Sequence, residues 1–593
     1  MIDITAPYRF VRTYNKIFYP SWGQKQGKDI SFDMPYIDSQ SGQINITITA
    51  KSPIFVGNGT GKQQDDTGKN KSDKTDKPQE FFNHNGTYYI PGSSIRGMIR
   101  TIATILSFSK MSLDDKTLSC RDINNPAYKK KAMKQNQTFI GWLYVKSKKW
   151  YIDEIGTLTK EHKISYEKLE QLFGKSLIAN LKNKQAHAKY ELLQHKNLHL
   201  KEGTIILTGF FGKKKNEFIF PHTITQTHNL TNEQVKTFQE AYYIGTPNES
   251  KDWTKRWKQE IKQGKKVPIF FQKTQNNQIR HFGLSMLYKL PYDNSTQALY
   301  TRSLAEYNKS YLDCVDRIFG FVRDDTQSHE NKALKGRISF SHFKAQGSPK
   351  SFAKQSLILS TPRLTFYPYY IDQTPDTLFK TYDDQDSKLS GFKFYVPRHN
   401  IMDHKGNGNS NILSHIIPLD KGTTFTGTLR YFNLKKEELG LLLLALTFLQ
   451  DKYYYKIGGA KPYGFGDCHI KLHTSLNTQE YINAYIDFVK REFGDDPINS
   501  QSAKDLLEVS QQMPSDEYLD YMELQEFTKL KSENQSKFGK RHSHNGGNNP
   551  HRNHHHNSPN PKAPKPYNES REHKNKDDAF KNTIRISQKG QKH

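Results

Sequence analysis

Two short stretches hold the residues best suited to chemistry. The first is Lys456-Ile457-Gly458-Gly459-Ala460-Lys461-Pro462-Tyr463-Gly464-Phe465-Gly466, with four glycines, two lysines and two aromatics in eleven residues. Gly458, Gly459, Gly464 and Gly466 let backbone N–H groups turn toward a ligand without a Cβ in the way. Lys456 and Lys461 supply the charge that phosphate requires, and Tyr463 and Phe465 offer faces for bases. A nucleotide-binding glycine loop runs strand, loop, helix, so that phosphate meets a positive helix end. Here the apolar run Leu441 to Leu449 precedes the loop and reads as a buried helix, whose C-terminus disfavours an anion. Any phosphate must therefore be held by the lysines and a nest of loop amides. A helix cap followed by a tight turn would account for one or two of the glycines, not four.

The second stretch is Pro91-Gly92-Ser93-Ser94-Ile95-Arg96-Gly97-Met98-Ile99-Arg100. Ile95, Ile99, Ile102 and Leu106 recur at helical spacing and predict one buried face. Ser93 is the expected N-cap. Ser93, Arg96 and Arg100 then fall on one side of the helix near its positive end, and Gly97 lets another backbone approach. With Ser94 they form a set of amides, hydroxyls and guanidiniums suited to a phosphodiester backbone. The plain alternative is a capped amphipathic helix with solvated arginines.

The elements that must position these stretches alternate between strands and helices. Gln43 to Thr49 alternates apolar and polar and predicts a strand, as does His469 to Leu472 after the glycine loop. Thr204–Thr208 and Glu217–Phe220 predict a hairpin whose tip carries Lys213, Lys214 and Lys215. Thr231 to Tyr243 predicts a helix opened by a capping box with Gln234. Val267–Phe271 and Phe282–Tyr288 predict strands. The first half thus reads strand, helix, strand, strand, helix, strand, the order of a ferredoxin-like unit. In the second half, Tyr307–Val315 predicts a helix, and Lys335–Phe340, Leu357–Phe366, Phe392–Tyr395 and Thr424–Tyr431 predict strands. Helices from Thr478 to Phe493 and from Glu517 to Leu530 follow.

This pattern divides the chain into an aromatic and basic arm at 1–40, a first domain at 41–291 and a second at 292–475. A helical appendage at 476–535 and a tail at 536–593 complete it. The tail is rich in His, Asn, Pro and Lys and poor in apolar residues, so it is expected to be disordered and to add sequence-independent affinity for polyanions. His554-His555-His556 has no visible partner ligands, and no specific metal role is assigned to it.

Composition narrows the partners. The 593 residues carry 88 Lys+Arg against 60 Asp+Glu, a formal net charge of +28, and 12% are aromatic. That balance points to nucleic acid with exposed bases. Cys120, Cys314 and Cys468 lie far apart, which argues against a disulfide framework or a cysteine zinc site and fits a reducing cytoplasm. No signal peptide is apparent, and no apolar run reaches the ~20 residues needed to span a bilayer.

Taken in order, these pieces resemble the RAMP superfamily of CRISPR-associated proteins, RNA-binding backbone subunits of type III effector complexes. The resemblance rests on Ile44–Thr49 with Gly57-Asn58-Gly59, on Ile90-Pro91-Gly92-Ser93-Ser94-Ile95-Arg96-Gly97, on Arg317-Ile318-Phe319-Gly320 followed by Gly336-Arg337-Ile338-Ser339-Phe340, and on Gly458 to Gly466. It implies an α+β, ferredoxin-like (RRM-like) fold, contact with guide RNA through the helix start and the glycine loop, and other effector subunits as partners. The length implies either two fused units or one unit with a large insertion after Leu106; the complete element order before Tyr292 favours fusion. Some relatives cut target RNA with an aspartate in the loop after the first strand. Asp65 and Asp66 occupy that loop here, ahead of Asp73 and Asp76, and such a carboxylate would hold Mg²⁺ or orient a ribose 2′-OH. The other reading is an acidic patch on a mobile lysine-rich loop. Tyr395 and His399 are a further acid–base pair by type, although a lone His beside Arg398 is more often structural. A stand-alone endoribonuclease that processes precursor guide RNA and a general RNA-binding scaffold are the alternatives.

Overall fold

The computed structural model describes residues 5–25, 30–57, 78–113, 115–123, 128, 138–181, 183–210, 214–245, 249–322, 333–359, 364–374, 377–402 and 413–538. The principal sheet and its helices are, in chain order, β1 (Ser39–Ala50), β2 (Thr87–Ile90), α1 (Gly92–Leu106), β3 (Phe343–Ala345), β4 (Thr424–Lys435), α2 (Lys436–Thr447), β5 (Asp467–His473) and α3 (Thr478–Phe493). Across the sheet the order is Tyr455–Lys456, β5, β1, β4, β3, β2, Asn83–His84, with Ile338–Phe340 also paired to β4.

The alternation that predicts β1 decides what it buries. Ile44, Ile46, Ile48 and Ala50 point into the core, while Gln43 and Asn45 are exposed and Thr47 and Thr49 half-exposed. Opposite them, Phe425, Leu429 and Tyr431 of β4 face the same core. Ile95, Ile99 and Ile102 of α1 and the Leu441–Leu446 run of α2 cover that side. Each such isoleucine or leucine contributes about 1.5–3 kcal/mol of burial. The helices lie against one face of the sheet, and the outward positions of its strands are left polar.

Both ends of the described chain build this one sheet. Ile44 pairs with Leu429, and Ile46 and Ile48 pair with Leu472 and Ile470. Between α1 and β3 the chain forms other sheets with their own cores. One has the order Gln226–Asn229, Lys149–Thr157, Phe139–Lys146, Val267–Lys273, Ile279–Gly283, and another joins Thr204–Ile206, Asn216–Phe220 and Lys163–Ser165. The strands that read in sequence as one first-half unit are therefore spread over three sheets. Element order does not specify pairing, and β1 finds its neighbours near the far end of the chain. The arm pairs Tyr8–Val11 with Phe392–Tyr395 and pins Arg12 to Asp505 at 2.7 Å.

Several element limits differ from expectation. Helix begins only at Cys314 rather than Tyr307, because Asp313 supplies the cap that accepts from the Asp316 amide. Of the Leu357–Phe366 stretch, Leu357 and Ile358 lie in the strand Gln355–Ile358, and Tyr367–Tyr370 beyond it is a helical turn. Strand ends at Gly283 rather than Tyr288. The last helix runs Leu524–Phe538 instead of Glu517–Leu530. Among the described residues no helix is long and apolar enough to cross a membrane.

A buried ionic knot ties the returning chain to α2. Arg337 and Arg317 both bond Glu438 Oε1, and Glu438 Oε2 accepts from the Lys435 amide at 3.0 Å. Arg337 also bonds the Arg317 and Asn433 carbonyls, and Arg317 lies over the Trp22 ring at 4.3 Å. The two arginines of the sequence motifs are thus structural.

Candidate nucleic-acid interface

The start of α1 keeps an open surface. The helix begins two residues before expectation: Pro91 is the N-cap, no side chain caps the helix, and the Ser94 amide donates to the Pro91 carbonyl at 3.0 Å. Gly92 is required there because a Cβ would lie 2.2 Å from the Phe340 carbonyl oxygen. Its amide donates to His342 Nδ1 at 3.2 Å. With the capping role removed, Ser93 is exposed and Ser94 half-buried. Gly97 is exposed, with nothing within 4 Å of where a Cβ would sit. Arg100 is half-buried one turn on, and the first turn holds no acidic residue. Arg96 departs from the expected set. Its guanidinium bonds the Phe319 carbonyl and sits 5.7 Å from the Phe319 ring, and burial, followed by Arg100, lowers its pKa. The surface left for a ligand is Ser93, Ser94, Gly97 and Arg100.

The glycine loop is built differently from its sequence reading. It does not leave the helix directly: Tyr455–Lys456 first pairs with Cys468 and Asp467, and the loop closes that hairpin. Gly458 has φ +88° and a Cβ there would lie 2.1 Å from the Phe55 carbonyl oxygen; Gly466 has φ +87° and meets the Ile457 carbonyl at the same distance. The Gly459 amide donates to Phe55 O at 2.8 Å and the Gly466 amide to Pro53 O at 2.9 Å. Gly464 lies against the Asn400 carbonyl. These amides are spent on the loop's own seat.

The side chains divide in the same way. Phe465 is fully buried with Phe55, Leu357, Ile416 and Ala460, so its ring belongs to a core and presents no face to a base. Tyr463 packs beside it and donates its hydroxyl to the Ile358 carbonyl at 3.0 Å. Lys456 Nζ is paired with Asp467 at 2.8 Å and bonds Phe465 O. Lys461 is the half-buried cation of the loop, its pKa pushed down to about 8 by burial and then by Lys456.

The two stretches do not meet. Five strand-to-strand steps separate Tyr455–Lys456 from β2, which delivers α1. At about 4.8 Å per step this is roughly 24 Å.

The remaining candidates lie elsewhere. Asp65 and Asp66, with Asp73 and Asp76, lie outside the described residues, as does the segment 539–593. Of the acidic loop, Asp384 accepts from the Thr381 amide at 2.7 Å and Asp386 pairs with Lys380 at 2.7 Å. His399 is held by the Met513 carbonyl at 2.6 Å and Asp516, a structural arrangement. At the basic hairpin Lys214 turns inward to Glu217 at 2.6 Å, and burial pushes its pKa to about 8. Among the described residues no group of three His, Cys, Asp or Glu side chains could hold a metal ion.

Comparison with known proteins gives a partial likeness. The family model of the RAMP superfamily matches residues 47–280, a span that includes the last four residues of β1 and all of α1. Over that span, under half of the 593 residues, the chain is similar to the RAMP superfamily. Among solved structures it is similar to Csc2 of Thermofilum pendens at 16% identity and a TM-score of 0.12, covering 40% of this chain and 60% of that one. The match thus spans less than two thirds of that relative, and a likeness this partial positions no residue of the interface. No curated protein matches the chain.

Proposed function

We propose that this chain is an RNA-binding subunit of a type III-like antiviral CRISPR effector, holding guide RNA against target RNA in the cytoplasm beside other effector subunits. The observation that carries this reading is the start of α1: exposed Ser93, open space over Gly97, and Arg100 further along the same side of a helix whose first turn holds no acid. Hydroxyl, amide and guanidinium donors on one surface suit successive phosphates. In this reading β1, α1, β3, β4, α2 and β5 are a single ferredoxin-like unit, and the chain between α1 and β3 is its insertion. The strand order β5, β1, β4, β3 with α1 and α2 on one face supports that arrangement over two fused units. Of the glycine loop, Lys461 is the residue retained as an RNA contact. Asp65 and Asp66 are the candidates for Mg²⁺-dependent cleavage of target RNA.

Sequencing the RNA that co-purifies with the protein tests the reading. Uniform guide-length RNA is the expected result. Hairpin cleavage of precursor guide by the lone protein would favour the stand-alone endoribonuclease, and absence of RNA at low salt would overturn the proposal. Replacing Asp65 and Asp66 with Ala, then assaying target RNA with Mg²⁺, decides their part in slicing.

A further inference from the structure

The side of the principal sheet away from α1 and α2 carries a pattern that the helix start does not use. β-Sheet registers place Lys471, Thr47, Thr426, Lys344 and Tyr89 in one row across five strands. Lys471, Thr426 and Lys344 are exposed, and Thr47 and Tyr89 half-exposed. Three strand spacings of about 4.8 Å put the two lysine Cα positions roughly 14 Å apart. A parallel row holds His473, Asn45 and Thr428, and a third holds Gln43, Arg430 and Ser339.

No outward position in these rows is acidic. The hydroxyls between the cations are held in place: Thr47 Oγ1 lies 2.9 Å from His473 Nε2, Thr426 Oγ1 accepts from Gln346 Nε2 at 2.6 Å, and Thr428 Oγ1 donates to Asn45 Oδ1 at 3.1 Å. No phenylalanine, tyrosine or tryptophan stands at the central positions of these rows. Tyr89 closes the first row, and Tyr454 stacks on His469 at 5.0 Å with the planes 7° apart at the other edge. An antiparallel sheet needs one packed face only, so a polar face by itself is ordinary. Rows whose charges are all positive form a surface for a polyanion.

We propose that this open face is a second track for single-stranded RNA, separate from the start of α1. The inference rests on the RNA-binding reading above and extends it to a surface on the opposite side of the sheet. Lys471, Lys344 and Arg430 contact phosphates, and Thr47, Thr426 and Asn45 bond sugar and phosphate oxygens. The central positions of these rows offer no large aromatic face to a base, so the track follows the backbone and is tolerant of sequence. Unpaired bases stack only at Tyr89 and at the Tyr454–His469 pair.

The test uses the full-length chain and labelled single-stranded oligouridylate, with oligoadenylate as a second probe, in a salt titration. One variant carries Lys344→Glu, Arg430→Glu and Lys471→Glu, a second carries the three changes to Ala, and a third is Arg100→Glu at the helix start. The three side chains replaced together are exposed, and a thermal melt verifies the fold of each protein. The Glu variant is expected to bind both probes at least tenfold more weakly, and adding Arg100→Glu should weaken binding further. In the Ala variant the salt slope should be shallower by about 0.7 for each phosphate that is no longer neutralised. Wild-type affinity and slope in both triple variants, with weaker binding in Arg100→Glu, would overturn the second track and leave RNA binding standing. Failure of the wild type to bind either probe would overturn both. Loss of an acidic polypeptide from the Glu variant, with RNA binding intact, would reassign the face to a protein partner and overturn the inference.

Discussion

Lys456 Nζ lies 2.8 Å from Asp467 Oδ1 at the root of the glycine loop, with the two side chains 8% and 5% exposed. Burial raises the pKa of Asp467 and Lys456 opposes it, so the lysine's first task is to neutralise a carboxylate it cannot leave. Lys456→Ala is expected to cost about 3–5 kcal/mol, the consequence of a buried charge left without its partner. A denaturant melt measures the loss. RNA affinity of the folded fraction should stay close to wild type; selective loss of RNA at unchanged stability would restore Lys456 as a direct contact.

Lys461 behaves differently because its pKa is pushed down to about 8. A cation that contacts phosphate must be protonated, so RNA affinity should fall as pH rises from about 7 to about 9. Lys461→Arg keeps the charge throughout and should flatten that dependence. The sign for stability is opposite: a lysine whose folded pKa lies below its unfolded value adds stability as pH rises above about 8. Equal pH profiles of binding for the wild type and Lys461→Arg would remove Lys461 from the interface.

How much of this was legible in the sequence depends on whether the signal was local. The alternation of Ile44, Ile46 and Ile48 and the leucine run of α2 needed only a period, and Thr231 with Gln234 needed only a capping box, which the structure contains. The hairpin of Phe139–Lys146 and Lys149–Thr157 was missed, although both arms are rich in aromatic and β-branched residues. Its turn residues Ser147 and Lys148 take φ +49° and +63°, a left-handed pair usually signalled by Asn-Gly. Pairing over distance was equally hidden, since nothing local to β1 says that Leu429 and Ile470 face it. The glycine loop misled for a physical reason. Glycines that free amides for a ligand and glycines that admit Phe55 O and Ile457 O look the same in one dimension.

Gly458→Ala separates those two uses. At φ +88°, with a Cβ 2.1 Å from the Phe55 carbonyl oxygen, alanine must displace the loop. The expected cost exceeds the ~1–3 kcal/mol of left-handed strain alone. A thermal melt close to wild type would show that the seat is not tight.

Glu438 gives the acid-sensitive joint. Burial alone would raise its pKa, but Arg337 and Arg317 outweigh burial and hold the carboxyl below its ordinary range. A depressed carboxylate contributes stability above its unfolded pKa of about 4.3 and loses it as pH falls through the folded value. Glu438→Gln should therefore be less stable at neutral pH and show a weaker acid dependence below about pH 4. Glu438→Ala, which strands two buried guanidiniums, is expected to cost about 3–5 kcal/mol. Parallel acid curves for the wild type and Glu438→Gln would place the acid-labile contact elsewhere.

In the proposed function the folded part of the chain, and not only its basic tail, binds RNA through phosphate contacts. The decisive measurement is single-stranded RNA affinity against salt for the chain truncated after Phe538. Log K is expected to fall linearly with log salt, with a slope that becomes shallower by about 0.7 when Arg100 is changed to Glu. Absence of salt-sensitive RNA binding in that truncated protein, with its melt unchanged, would contradict the proposal.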